Sequence, residues 1–318
     1  MYQCGTGGPP EPALNGSFPR SSTRGGMRNR GVRPRLRTVA LLLIAVLLSP
    51  AVTTGPYGAG SDPCERNLGD ICLHAPAADL LADVEQLYDR PVELGETTKA
   101  AVGSSGVHGD GTPFVELNPI MYDREPERQE AAIVHELFHL KMKAEGYPLI
   151  RIDPEAVSPE EYQFLLETVR LVFDPIEHRL FDPKIRAMGL DPDAEIEEHF
   201  RAAEPRPDAR GYTNYYQRAI TMMRVVLECS PQTALRIERS YKFHGWDSAL
   251  NTGRDMAALV AAVKQYSPDD ELVIYIKCLN RLLGDRADIR RLGWEDERHG
   301  QVVYRVALLR VTHRTYRD

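Results

Sequence analysis

The chain has little cysteine and almost no tryptophan, five of one and two of the other in 318 residues. No CxxC pair occurs, which argues against a metal held by paired thiolates. The formal net charge is −7 and no basic patch carries interleaved aromatics, so no nucleic-acid partner is expected. No segment recurs at a fixed period, which excludes solenoids and propellers. No apolar run reaches the ~20 residues that a bilayer-spanning helix needs.

The longest apolar run, Val39–Leu48, follows a basic stretch of Arg24, Arg28, Arg30, Arg33, Arg35 and Arg37. With Ala51 and Val52 it extends to about fourteen residues, and small residues come after it. This is the order of a secretory signal, and Met27 would give it a more usual length. An uncleaved segment, tethering the protein to a membrane, is the alternative. The expected layout is therefore a basic region at 1–37, a signal core or anchor at 38–53, a linker at 54–75 and one domain at 76–318. Four cysteines lie beyond the signal: Cys64, Cys72, Cys229 and Cys278. In an oxidising compartment an even number suits two bridges. Cys64–Cys72 and Cys229–Cys278 is one of three connectivities. An exported protein is expected: secreted, periplasmic or at the cell surface.

Residues 135–139 read His-Glu-Leu-Phe-His. On a helix, His135 and His139 project from one face, one turn apart. Two imidazoles so placed can hold one Zn²⁺, and Glu136 can reach a water on it. The segment Glu125–Lys143 reads as one helix. Pro126 suits its first position, acidic residues enrich its start, and Gly146 then Pro148 mark its end. Ile133, Val134, Leu137, Phe138, Leu140 and Met142 make its centre apolar nearly all round, so the helix is buried. Buried histidines and a buried glutamate need partners, and a metal is the simplest one.

A third protein ligand is needed, with a fourth position open to water. No histidine follows His139 within the next ten residues, which excludes the HExxHxxGxxH arrangement. A second helix is signalled by Ser158-Pro159-Glu160-Glu161, an N-cap, an N1 proline and a capping-box glutamate. Tyr162, Leu165, Val169, Val172 and Ile176 form its apolar stripe. Glu177 falls about 80° from the middle of that stripe and His178 on the far side. The phase favours Glu177 as the third ligand. A helix restart at Pro175, capped by Asp174, would bring His178 in instead.

These residues resemble the zincin-type HExxH zinc metallopeptidases, gluzincin-like rather than metzincin, over roughly residues 80–200. The resemblance implies an α+β zincin-like domain, a small mixed sheet plus the active-site helix. It implies Zn²⁺ as cofactor and a peptide or protein as substrate. It also implies hydrolysis by metal-activated water, with Glu136 as general base and later as proton donor to the leaving amine. An edge strand beside the active helix belongs to that fold, and Pro113–Pro119 reads as a short strand whose terminal prolines suit an edge. A non-catalytic binding protein of the same fold, or a regulatory peptidase with a single protein substrate, are the alternatives. No Glu-x-x-x-Asp or Asn-Glu pair familiar from thermolysin-like enzymes stands out after the motif. Tyr212, Tyr215, Tyr216, His199 and His244 are available as oxyanion stabilisers, and sequence does not rank them. From about residue 205 the chain reads as mostly helical, with Val302–Val311 a terminal strand or a further helix.

Overall fold

The structure is a computed structural model that describes residues 64–98, 102–202, 204–209, 211–263, 267–284 and 288–312. All of them belong to one compact unit, Gly60–Asp318. The basic region, the signal or anchor and the start of the linker lie outside the described residues. Among the described residues no helix is long and apolar enough to cross a membrane.

The chain enters through a hairpin, β1 (Arg66–Leu68) and β2 (Ile71–Leu73). Its turn uses Gly69 at φ +59°, a left-handed conformation natural to glycine. Cys64 and Cys72 lie at disulfide distance across it, with Cα atoms 5.6 Å apart. These residues were expected to be linker; instead Leu68, Ile71 and Leu73 are core. Helix α1 (Ala75–Tyr88) follows. Then come β3 (Glu93–Glu96), β4 (Gly103–Val107) and β5 (Pro113–Leu117), in sheet order β3-β5-β4. The strand expected at an edge is thus the central one. Pro113 is its first residue and pairs with the last residue of β4, so the proline interrupts no ladder.

Helix α2 (Pro126–Ala144) carries the His-Glu-Leu-Phe-His motif. Pro126 and Glu127 start it, Lys141 and Lys143 occupy its last turn, and Gly146 at φ +86° ends it. Ties to its neighbours fix its position. Glu130 accepts from the backbone N–H of His74 and pairs with its ring, and the Tyr88 hydroxyl donates to the Leu140 carbonyl.

Strand β6 (Pro148–Ile152) leads to α3 (Pro159–Ala187), which is 29 residues long. The capping box of Ser158 and Glu161 forms as expected. The helix does not restart at Pro175; it runs through both Pro175 and Pro183. An interior proline costs about 3 kcal/mol. Ile176, Phe181 and Ile185 are fully buried here, and each such side chain contributes about 1.5–3 kcal/mol. Burial of that size is comparable to the cost of the two prolines and offsets it.

Five further elements are helical or nearly so: α4 (Ala194–Ala202), α5 (Tyr215–Glu228), α6 (Pro231–Phe243), α7 (Asp247–Ala261) and α8 (Pro268–Leu283). Gly253 of α7 lets that helix approach α5 closely, since a Cβ there would lie 2.5 Å from the Ala219 carbonyl. The chain then returns to strand, β7 (Asp288–His299) and β8 (Val302–Thr312). This hairpin pairs with β6 in sheet order β6-β8-β7, with β8 parallel to β6. Of the two expectations for residues 302–311 the strand is correct, and β7 went unforeseen. The class is mixed α+β.

Two cores result. The first joins the hairpin, α1, α2, β5 and the C-terminal part of α3. The second joins the N-terminal part of α3 with α5–α8 and the far half of β8. Cys278 is buried in the second core and Cys229 caps α5; both are free thiols, so the expected Cys229–Cys278 bridge is absent.

Candidate metal centre

His135 and His139 project from α2 with their Nε2 atoms 3.2 Å apart. Two nitrogens at 2.0–2.1 Å from one tetrahedral ion sit about 3.3 Å from each other. The pair therefore already has the spacing of shared ligands. His178 of α3 completes the group: one ligand atom from each of the three rings lies within 4.8 Å of the others. Its ring centroid is 4.5 Å from that of His135.

Two of the three rings have a carboxylate at the outer nitrogen. The Nδ1 of His178 is 2.7 Å from Glu228 Oε1 at the end of α5, and Glu228 in turn accepts from Arg224. The Nδ1 of His139 is 2.7 Å from Glu177 Oε2. Carboxylates there fix each tautomer and aim the remaining nitrogen inward. Phe181, fully buried, sets its ring edge-on against His135 and His139 and is stacked on Phe138. That ring forms an apolar wall.

The structure thus brings His135, His139 and His178 together and gives Glu177, the favoured third ligand, a different place. Glu177 is not in the donor group; it braces His139. The reason lies in α3. Its stripe of Leu165, Val169, Val172 and Ile176 faces the helical core, not α2. The side of α3 that meets α2 is marked instead by His178, Phe181 and Ile185, so the stripe gave the wrong reference phase.

Burial holds the His135 imidazole well below its ordinary range, and the neighbouring His178, His139 and Arg224 add to this. It is therefore neutral, the form that binds metals. Burial also acts to lower His178, but Glu228 outweighs it and the group is pushed up to about 9. Such a ring must release a proton when it takes a metal. The Glu228 carboxyl is held down to about 2: burial opposes this, and Arg224 and His178 overcome it.

Glu136 is 7% exposed. Burial raises its carboxyl above the usual range, against the pull of His139, Ser105 and Lys143. The Ser105 side chain on β4 hydrogen-bonds it. Gly103 gives it room, since a Cβ there would lie 3.2 Å from the Glu136 Cγ and Oε1. Among the described residues, strand β4 has one hydrogen-bonded neighbour, β5. Asn118 donates to the Val102 carbonyl and His108 to the Thr112 carbonyl. Even-numbered residues therefore face β5, and Gly103, Ser105 and Val107 turn their backbone groups to the outer edge.

Three imidazoles with no thiolate and no crowding carboxylate form a donor set suited to zinc and to other divalent imidazole-binding metals. The three histidines are positioned to bind a metal ion. The five residues considered as oxyanion stabilisers are engaged elsewhere. Tyr212 stacks on Trp246, the Tyr215 hydroxyl meets Thr252, and Tyr216 packs on Phe164. His199 packs on Phe200, and His244 bonds the Pro205 carbonyl. Sequence reading missed Glu228, Ser105 and Lys143. Only Lys143 left a signal, four residues after His139 on the same helical face. No family model matches the chain, and no curated protein or solved structure matches it.

Proposed function

We propose that this protein is a zinc-dependent peptidase of the zincin type, with His135, His139 and His178 as ligands and Glu136 as general base. The observation that carries the reading is the convergence of three imidazoles, two of them braced by carboxylates, beside a buried glutamate at the edge of a strand. When bound, the metal would acidify a water and polarise a peptide carbonyl. Glu136 takes the proton of that water and passes it to the leaving nitrogen as the C–N bond breaks. The elevated carboxyl of Glu136 suits both transfers. A substrate in extended form would pair with the outward N–H and C=O groups of Gly103, Ser105 and Val107, which recognises backbone rather than side chains. The neutral His135 and the absence of cysteine from the donor group support zinc over softer-ligand metals.

Export to an oxidising compartment belongs to the same proposal, and the Cys64–Cys72 pair supports it. The test compares wild type with Glu136→Gln by metal analysis and cleavage of a mixed peptide library. Equal zinc content with a rate loss of about 10²–10⁴-fold is expected. Zinc without cleavage in the wild type would favour a binding protein, and equal rates in both would remove Glu136 from the chemistry.

A further inference from the structure

We infer that Lys143 is the cation that binds the substrate's carbonyl oxygen as it becomes an oxyanion; this rests on the peptidase reading above. Lys143 lies one turn beyond His139 on the same face of α2. Its ammonium sits 3.3 Å from the Ser105 carbonyl, on the outer edge of β4 where a substrate strand would pair. That is long for a hydrogen bond to a cation, so the contact is weak and easily exchanged. The charges of Glu136 and Glu177 both act on the ammonium, yet among the described residues Lys143 makes no salt bridge. Burial holds it below the ordinary lysine range, with Arg170 of α3 adding to this and the two glutamates opposing.

An ammonium placed inside a site without a carboxylate partner is costly. It becomes favourable when negative charge develops next to it. Peptide hydrolysis supplies that charge: as water adds to the carbonyl carbon, the C=O π electrons move onto oxygen. A preorganised donor there typically contributes about 10²–10³ in kcat. The proton traffic runs through Glu136 and the leaving nitrogen, so Lys143 keeps its own proton throughout. The tyrosines and histidines that sequence offered for this task pack or bond elsewhere, and among the described residues the Lys143 ammonium meets a backbone carbonyl alone.

The test uses full-length zinc-loaded wild type, Lys143→Met and Lys143→Arg. Metal content, affinity for a phosphinic tripeptide (a tetrahedral anion) and affinity for the matching uncleaved peptide are measured, the last in a Glu136→Gln background. The inference requires unchanged zinc, phosphinate binding weakened about 100-fold in Lys143→Met and partly restored by arginine, and peptide binding changed less than about threefold. Loss of zinc in Lys143→Met would make the residue structural and overturn the inference. Equal weakening of both ligands, or no phosphinate binding by wild type, would also overturn it. If wild type discriminates the phosphinate through Lys143 yet cleaves no peptide, the peptidase reading fails and the anion site stands. If wild type cleaves and Lys143→Met does so equally fast, Lys143 is removed and the peptidase reading stands.

Discussion

The two cores contribute unequally to the metal centre. The first core holds α2 and with it both motif histidines and Glu136. The second anchors the N-terminal two-thirds of α3 and all of α5, and so supplies His178 and its brace Glu228. A local motif lies entirely in one core, whereas the complete donor set straddles the seam between them. At this point α3 runs from one core into the other, so the third ligand depends on how the two halves pack.

That dependence can be broken most sharply at the third ligand. His178→Ala should abolish tight metal retention and remove the protection that added metal gives against thermal unfolding. In wild type that protection is about 4 kcal/mol at a thousandfold excess over Kd, and chelation should cancel it. Glu177→Ala should weaken binding only by about 10–100-fold, as loss of an outer brace does. If Glu177→Ala proves the more damaging of the two, the ligand order is reversed. Glu228→Gln tests the second core's share, since Glu228 belongs to α5 and bonds the His178 ring. Isothermal titration should show about 10–100-fold weaker metal binding. An unchanged affinity would mean that the second core holds His178 by packing alone.

The smallest effect separates the cores by acid. Glu197 of α4 accepts from the Ser230 N–H and hydroxyl and the Thr233 hydroxyl at the start of α6. Burial works against ionisation, but these donors hold its carboxyl down to about 2. A carboxyl depressed in the folded state stabilises above its unfolded range, near 4.5, and the benefit fades as pH falls toward 2. Amide exchange in α6 should therefore rise over that window before exchange in α2 does. Glu197→Gln should flatten the difference and cost about 1 kcal/mol at neutral pH. Synchronous acid opening of both helices in wild type would show that the cores do not differ in this way.

What the sequence made legible follows the same division. The N1 proline, acidic first turn and terminal glycine of α2, and the capping box of α3, are short-range signals, and each appears where expected. The third ligand was not legible in the same way. Its apolar reference stripe packs against helices that come 40 to 100 residues later, and helical phase alone cannot tell which neighbour a stripe serves. Glu228 sits 50 residues from the ring it braces, with no spacing rule to link them. Strand β5 misled for a related reason. Terminal prolines are tolerated in a central strand as well as at an edge when neither interrupts the ladder. The β7–β8 hairpin was obscured by imperfect alternation, since β8 buries neighbouring residues Val306 and Ala307 on both of its faces.

Pro175 and Pro183 bracket the turn of α3 that bears His178. Neither can donate a proton to the carbonyl four residues earlier, at Leu171 and Arg179. The stretch between them is consequently the least self-supported length of that long rod, held in place by what it leans on. An ion gripped by its imidazole would act as a rivet at that weak length, so occupancy of the centre and integrity of the rod should rise and fall together.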